Sequence, residues 1–248
     1  MIEIRGLHKS FADKKVLQGV DLTIETGQTT TIIGGSGSGK SVLFKHIIGL
    51  MKPDAGTILV DGEDITKMKE SDLYCMVAKF GLVFQSGALF DSMTVGRNVA
   101  FGIHDKKKMP AAELDAVIEH SLNQVGLSDT THLLPAELSG GMKKRVAIAR
   151  VIARKPQIIM FDEPTTGLDP IMADIINDLI IKVTDNNEIT SIVITHDMVS
   201  AYKISDKIAV LYEGRIVETG SAAEIRETQN AVVRQFIEGR AEGPIKIR

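Results

Sequence analysis

The chain has 248 residues, 44% of them apolar, and a formal net charge of −3, a composition typical of a folded globular protein. This balance disfavours a general nucleic-acid-binding protein, which would present a dominant basic surface. The lone Cys75 excludes an intrachain disulfide and is typical of a reducing compartment. No apolar run approaches the ~20 residues that cross a bilayer, so we expect a cytoplasmic protein that reaches a membrane only through a partner.

The first part of the chain predicts strands, a glycine-rich loop and a helix. Apolar and polar residues alternate at positions 2–4 and 20–24, as in half-buried strands. Thr29–Ile33 is β-branched throughout, which predicts a buried strand. The sequence GGSGSGKS follows at residues 34–41 and precedes apolar residues at helical spacing. Residues 57–60, closed by Asp-Gly, predict one arm of a hairpin.

The middle of the chain predicts a helical insertion between strands. The apolar run over residues 80–84 ends at Gln85. Residues 94–103 and 110–125 then have helical periodicity, and Pro110 suits a first helical turn. We therefore predict a mostly helical subdomain over about residues 86–155.

Strands and helices alternate again after this insertion. Buried strands are predicted at residues 158–161, 191–195 and 208–212, with a helix over 171–183 between the first two. This alternation predicts an α/β fold with a largely parallel sheet. We predict one domain over residues 1–220 and a C-terminal extension over 221–248, helical to about Glu238.

The glycine-rich loop predicts a phosphate site because it fits G-x-x-x-x-G-K-[ST] at every fixed position. Successive backbone N–H groups and a helix N-terminus can converge on an anion. Lys40 would reach the terminal phosphates, and Ser41 would place its hydroxyl on Mg²⁺. The alternative, a flexible glycine turn, is disfavoured by the strand before the loop and the helix after it.

Two carboxylates at the end of a buried strand predict the second half of this site. Asp162 fits the group that holds the Mg²⁺ water shell, and Glu163 fits the base that orients the attacking water. Gln85 could reach Mg²⁺ or that water, or it could be only a polar strand cap. His196 could contact a γ-phosphate, although a histidine at a strand end is more often structural.

A serine and a glycine pair precede a basic, apolar-periodic helix predicted over residues 142–153. Ser139, Gly140 and Gly141 would expose backbone N–H groups at the positive end of that helix. Because the helix lies in the insertion, a second copy of the chain could supply it to the phosphate loop. The alternative is an ordinary helix cap.

In this order, the motifs GGSGSGKS, Gln85, LSGGM, IIMFDE, Gly-Leu-Asp and His196 resemble the ATP-binding subunits of ABC transporters over essentially the whole chain. The resemblance implies a P-loop NTPase fold with a parallel-sheet core, an antiparallel β subdomain and a helical subdomain. It also implies an ATPase whose two copies sandwich two ATP molecules.

The resemblance assigns a role to each matching residue. Phe11 would stack on adenine, Asp169 would cross the dimer interface, and Glu163 and His196 would act in catalysis. Mg²⁺ would be held by Ser41, Gln85 and Asp162. The nucleotide would be bound by Phe11, Gly34, Gly35, Ser36, Gly37, Ser38, Gly39, Lys40, Ser41 and Gln85. The partner's γ-phosphate would meet the signature residues Ser139, Gly140, Gly141 and Met142.

Two residues depart from the family pattern. Phe11 replaces the commoner tyrosine, which keeps the stacking surface and removes a hydroxyl. Met142 replaces the usual glutamine of the signature, which removes a polar side chain but leaves the serine and the glycine N–H groups. We therefore expect ATPase activity to be retained.

Finer features resemble the ATPase of the bacterial Mla system, the motor of MCE-type phospholipid transporters that maintain outer-membrane lipid asymmetry. They are VFQSGALF at residues 83–90, Met142, and VRQFIEG at 233–239 followed by Gly-Pro. This implies transmembrane permease subunits, an MCE-domain lipid-binding protein, a small STAS-domain subunit and a place on the cytoplasmic side of the inner membrane. The chain stops soon after the Gly-Pro pair, so we expect no long tail that embraces the neighbouring ATPase.

Two other functions fit parts of the sequence. The core motifs equally suit the ATPase of another ABC importer, for amino acids or metals. A soluble ABC ATPase acting on the ribosome or DNA is disfavoured, because such proteins usually carry two ATPase domains or long coiled-coil insertions.

Overall fold

A computed structural model describes residues 1–103, 108–186 and 188–245. The chain forms two compact units, one of Met1–Ala78 with Thr190–Arg248 and one of Lys79–Ile189. The last three residues of the predicted C-terminal extension lie outside the described residues.

The first unit contains an antiparallel sheet of four strands. They are β1 (Ile2–Phe11), β2 (Lys14–Ile24), β4 (Ala55–Val60) and β5 (Glu63–Asp64), in the order β2-β1-β4-β5. Ile2, Ile4, Val20 and Ile24 are all buried, because alternate side chains of each strand point to the same face of the sheet. The predicted antiparallel strands and the hairpin arm at 57–60 are confirmed.

The same unit contains parallel strands that carry the phosphate motif. β3 (Thr29–Ile33) pairs in parallel with β8 (Thr190–Thr195) on one side and β9 (Lys207–Tyr212) on the other. β10 (Arg215–Gly220) extends this sheet antiparallel to β9. Every residue of β3 and β8 is buried, as expected for strands covered on both faces.

The helices of this unit are α1 (Lys40–Ile47), α2 (Glu70–Val77), α7 (Met198–Ile204), α8 (Ala222–Arg226) and α9 (Ala231–Glu238). The sequence did not predict α2. The segment predicted to be helical to about Glu238 forms two helices, α8 and α9, which are separated by residues 227–230. Asn230 starts α9 there by accepting a hydrogen bond from the Val232 N–H at 3.1 Å, which is an N-cap.

The second unit contains two parallel strands and the predicted helical subdomain. β6 (Phe80–Val83) pairs with β7 (Ile158–Asp162). The helices are α3 (Val95–Phe101), α4 (Ala111–Gln124), α5 (Gly140–Ile152) and α6 (Pro170–Asn186), with a 3₁₀ turn at Pro135–Glu137. The helix predicted from Met142 begins two residues earlier, because Ser139 is already its N-cap. Similarly, Pro110 flanks α4 and does not lie in its first turn.

No helix among the described residues is long and apolar enough to cross a membrane.

Candidate nucleotide site

The phosphate loop connects β3 to α1 through tightly packed glycines. A Cβ on Gly34 would lie 2.3 Å from the Leu211 carbonyl oxygen, so only glycine fits at the end of this strand. Gly39 begins α1 with φ 110° and no side-chain cap, a conformation that favours glycine. The first N–H groups of α1 therefore have no side-chain cap, as an anion site requires.

The Lys40 ammonium lies over the loop itself. It donates hydrogen bonds to the carbonyl oxygens of Gly34 at 2.6 Å and Gly35 at 3.1 Å. Within the described residues the Ser38 hydroxyl oxygen is buried without a hydrogen-bond partner. Ser41, the next residue of α1, is exposed. The loop thus combines a cation, hydroxyls and N–H groups, which are the groups that bind phosphates.

A cavity of about 610 Å³ adjoins the loop in the same unit. This volume lies within the usual range of small-molecule sites, about 300–1,000 Å³. Its walls include residues 34–38 of the loop, Lys14 and Val16 of β2, Tyr212 of β9 and Phe236 of α9. It offers both apolar walls and basic side chains beside the phosphate loop.

The remaining predicted residues of this unit are His196 and Phe11. Ile33 of β3 is in register with Thr195 of β8, so His196 leaves the sheet beside Gly34. His196 is exposed, and Asp197 after it caps α7. Phe11 ends β1 with 45% of its surface exposed, three residues before the part of β2 that lines the cavity.

In the second unit, Gln85 and the acidic pair follow neighbouring strand ends. Val83 of β6 is in register with Phe161 of β7, so Gln85 and Glu163 each lie two positions beyond this registered pair. Gln85 is exposed, whereas Asp162 and Glu163 are partly buried. Parallel strands present their carboxyl ends at one edge, where open α/β sheets bind ligands.

The backbone at Glu163 is strained. Its φ of 50° lies in the left-handed region, which is uncommon for residues other than glycine and clusters at functional sites. The Thr166 hydroxyl donates a hydrogen bond of 2.9 Å to Glu163 Oε2. This carboxylate is therefore held at its tip by the turn that follows β7.

Two basic residues of α5, which the sequence analysis did not single out, bind the segment that begins at Gln85. The Lys144 ammonium donates to the Gln85 carbonyl oxygen and, at 3.3 Å, to that of Glu163. The Arg150 guanidinium donates to the carbonyls of Gly87 at 2.8 Å and Ala88 at 2.7 Å. Lys144 falls among the buried, mostly apolar positions of α5, and a lysine at such a position is the signal that could have revealed it.

Burial lowers the pKa of the Lys144 ammonium, and the negative charges of Glu163 and Asp162 oppose that shift. Burial also lowers the pKa of the Arg150 guanidinium. A buried cation is costly unless it is paired and hydrogen-bonded, so the acidic pair and the carbonyls compensate Lys144.

The signature residues lie at the N-terminus of α5. Ser139 Oγ accepts a hydrogen bond of 3.2 Å from the Met142 N–H, which caps the helix. Ser139 and Gly140 are exposed, whereas a Cβ on Gly141 would lie 2.3 Å from the Met172 methyl carbon. Because the serine oxygen accepts, its O–H remains a donor.

Asp169 has a local role besides the one expected for it. Its Oδ1 accepts hydrogen bonds from the N–H groups of Ile171 at 3.1 Å and Met172 at 3.0 Å. It therefore caps α6, and it is itself exposed.

The predicted metal ligands suit Mg²⁺ by their chemistry. Ser41, Gln85 and Asp162 supply a hydroxyl, an amide and a carboxylate oxygen, and Mg²⁺ prefers oxygen ligands. Among the described residues, no group of three or more histidine, cysteine or acidic side chains is arranged to hold a metal.

Comparison with known proteins agrees with these motifs. The ABC transporter family model matches residues 17–166. The chain is 38% identical over 244 residues to the probable ribonucleotide transport ATP-binding protein mkl of Mycobacterium leprae, covering 98% of this chain and 70% of that protein. It is 38% identical over 248 residues to the intermembrane phospholipid transport system ATP-binding protein MlaF of Escherichia coli strain K12, covering 100% of this chain and 92% of MlaF.

A solved structure shows the same fold. A dimeric ATP-binding cassette in a post-hydrolysis state, bound to ADP and Pi, superposes with a TM-score of 0.80 at 30% identity, covering 90% of this chain and 99% of that one. The predicted P-loop NTPase fold of the ABC type is thereby confirmed. With the family model, the full-length relatives and the phosphate loop in agreement, the chain belongs to the ABC transporter family of ATPases.

Proposed function

We propose that this chain is the ATP-hydrolysing motor of a transporter that moves phospholipids between the inner and outer membranes and so maintains outer-membrane lipid asymmetry. The choice of phospholipids as the cargo rests on the match to MlaF, which spans all of this chain and 92% of MlaF. The resemblance of residues 83–90 and 233–239 to Mla ATPases supports the same cargo.

In this proposal ATP binds through the phosphate loop and hydrolysis uses the acidic pair. Lys40 and the loop N–H groups hold the phosphates, and Phe11 stacks on adenine. Glu163 accepts a hydrogen bond from the water that attacks the γ-phosphorus, while the bond to the bridging oxygen breaks and inorganic phosphate leaves. His196 contacts the γ-phosphate. Mg²⁺, held by Ser41, Gln85 and Asp162, would neutralise charge on the phosphates.

A second copy of the chain completes each site in this proposal. The exposed start of α5 supplies Ser139, Gly140 and Gly141 to the partner's γ-phosphate, and Met142 replaces the usual glutamine. Asp169 lies at the dimer interface. The dimeric state of the cassette with ADP and Pi supports such an arrangement.

The other subunits follow from the resemblance to Mla systems. We expect permease subunits that hold the chain on the cytoplasmic side of the inner membrane, together with an MCE-domain protein and a STAS-domain subunit. A second cargo is favoured by one specific observation, which is the equal identity to a relative named for ribonucleotide transport.

Purification from membranes distinguishes the phospholipid proposal from the ribonucleotide one. The tagged chain is extracted in mild detergent from its own host and the accompanying proteins are identified by mass spectrometry, with an untagged strain as the control. Recovery of an MCE-domain protein with a permease is expected. Two results together would overturn the phospholipid proposal. They are recovery of a permease without any MCE-domain protein, and ATPase activity that is stimulated by an added ribonucleotide other than ATP.

A further inference from the structure

Lys144 is a buried lysine at the site that no predicted role explains. It lies in α5, five residues after Ser139, and only 6% of its surface is exposed. Its ammonium has three donors and no acceptor. Two of its hydrogen bonds go to main-chain carbonyls, those of Gln85 and Glu163.

These two carbonyls belong to the parallel strand ends that carry the amide and the acidic pair. Val83 and Phe161 are in register, and the bonded residues lie two positions beyond each. One ammonium therefore fixes the exits of β6 and β7 against each other and against the signature helix.

The Glu163 backbone needs such an external support. At φ 50° it lies in the left-handed region, which is strained for a residue other than glycine and persists only when surrounding structure holds it. A turn from this region to the ordinary right-handed one would redirect the Glu163 side chain. The hydrogen bond from Lys144 to the Glu163 carbonyl oxygen opposes that turn.

The neighbouring segment is held independently of Lys144. Arg150 binds the carbonyls of Gly87 and Ala88. The buried Asn98 amide donates to the carbonyls of Phe90 at 3.1 Å and Met93 at 3.0 Å. Loss of the Lys144 ammonium therefore leaves residues 87–93 anchored and acts on the two strand exits.

We infer that Lys144 is a positioning residue for ATP hydrolysis, which directs the Glu163 carboxylate by fixing its main chain to Gln85 and to the signature helix. This inference rests on the proposed role of Glu163 as the residue that orients water. It predicts an effect on the chemical step and little effect on ATP binding, because Lys40 and the phosphate loop belong to the other unit.

The test replaces Lys144 by methionine, which keeps the unbranched stem and removes all donors. Lys182→Met is the matched control, since Lys182 is an exposed lysine within α6. Lys144→Gln restores two N–H donors on a shorter side chain. The turnover number, the KM for ATP, the ATP affinity and the melting temperature are measured on the chain purified with its accompanying subunits.

For Lys144→Met we expect turnover to fall about 10- to 100-fold, as misplacement of a catalytic group by about 1 Å does. The KM and the affinity for ATP should stay within about two-fold, which is the pattern of an interaction made only in the transition state. Lys144→Gln should recover part of the turnover, and Lys182→Met should match the parent protein.

Two outcomes would overturn the inference. One is a turnover for Lys144→Met equal to that of Lys182→Met. The other is a parallel loss of turnover, ATP affinity and folded fraction, which would mean a structural role alone. If Lys144→Met fails to fold, Lys144→Gln decides by the same split between turnover and KM.

Glu163→Gln, assayed alongside, separates this inference from the proposed role of Glu163. It should bind ATP normally and lose at least about 100-fold in turnover, the lower range for a general base. If it hydrolyses ATP like the parent protein, the role of Glu163 fails and the role of Lys144 fails with it. If it is inactive while Lys144→Met is fully active, only the inference about Lys144 fails.

Discussion

Two helices of this chain, α1 and α5, both begin at a glycine motif suited to anions, yet their N-termini are capped differently. The start of α1 has Gly39 as its N-cap and no side-chain cap. The start of α5 is closed by Ser139, whose oxygen accepts from the Met142 N–H. An uncapped helix start holds N–H groups ready for a phosphate, whereas the side-chain cap of α5 already satisfies one of its N–H groups in the free chain.

Because of this difference, we expect the start of α1 to determine ATP affinity and the start of α5 to affect ATP turnover. The first helix start, with the Lys40 ammonium beside it, supplies the main attraction for the phosphates. The second can add only what its exposed glycine N–H group and the serine O–H contribute when another copy docks. Substitutions at α1 should therefore change ATP affinity, and substitutions at α5 should change turnover.

The largest effect is expected at Lys40. Lys40→Met removes a charge-assisted contact to the phosphates, and we expect ATP affinity measured by calorimetry to fall about 100-fold. The matched control is Lys45→Met, which removes the same charge from an exposed position of the same helix. An unchanged affinity for Lys40→Met would break the comparison, because the phosphates would then be held elsewhere.

A smaller effect, of a different kind, is expected at Ser139. Ser139→Ala should lower turnover about 10-fold, since the loss of one hydrogen bond to a charged group costs about 1.5 kcal/mol. Its ATP affinity should stay within about two-fold of the parent value. The helix also loses its cap, which costs about 1 kcal/mol of the free energy of unfolding.

Thr94→Ala controls for that lost cap. Thr94 caps α3 in the same unit by accepting from the Arg97 N–H at 3.3 Å. It should therefore lose similar stability while keeping full turnover. Equal turnover for Ser139→Ala and Thr94→Ala would show that Ser139 serves only as a cap.

The glycine motifs and the strands were predictable because their signals are local. Thr29–Ile33 forms a buried strand because its five consecutive residues are all β-branched, which favours a strand. The loop after it follows from the closely spaced glycines of residues 34–39. The start of α5 was also predictable, although two residues late, because the cap and its helix are adjacent in sequence.

The hydrogen bonds from Lys144 to the carbonyls of Gln85 and Glu163 were not predicted, because they join residues that are remote in sequence. Lys144 and Gln85 are 59 positions apart. The acceptor is a main-chain carbonyl, which every residue has, so the sequence does not mark it. The available signal was indirect. Lys144 shares the buried face of α5 with Ala147, Ile148 and Val151, where a lysine must find partners.

A similar buried basic residue in α1 should affect stability alone. His46 is 1% exposed, and its Nδ1 lies 2.7 Å from the Val42 carbonyl oxygen. Its Nε2 has no hydrogen-bond partner among the described residues, in contrast to the well-bonded ammonium of Lys144. Burial lowers the pKa of His46 below its ordinary value, so the folded protein disfavours the charged imidazole.

The unfolded chain therefore binds a proton at His46 more readily than the folded chain does. The free energy of unfolding should fall as the pH drops below about 6.5, the ordinary pKa of histidine, and down to the pKa of the folded form. His46→Gln should reduce this loss when denaturant unfolding is compared between about pH 7 and pH 5. His120→Gln, at an exposed position of α4, should keep the parent dependence on pH.

Because His46 lies on the buried side of α1 and Lys40 at its start, ATP affinity at neutral pH should be the same with and without the imidazole. A parent-like loss of stability in His46→Gln would mean that other groups carry the acid sensitivity. A change in ATP affinity at neutral pH would show that the buried face of α1 also shapes the phosphate loop. In that case His46 would affect the nucleotide site as Lys144 of α5 does, and the contrast between these two buried basic residues would no longer hold.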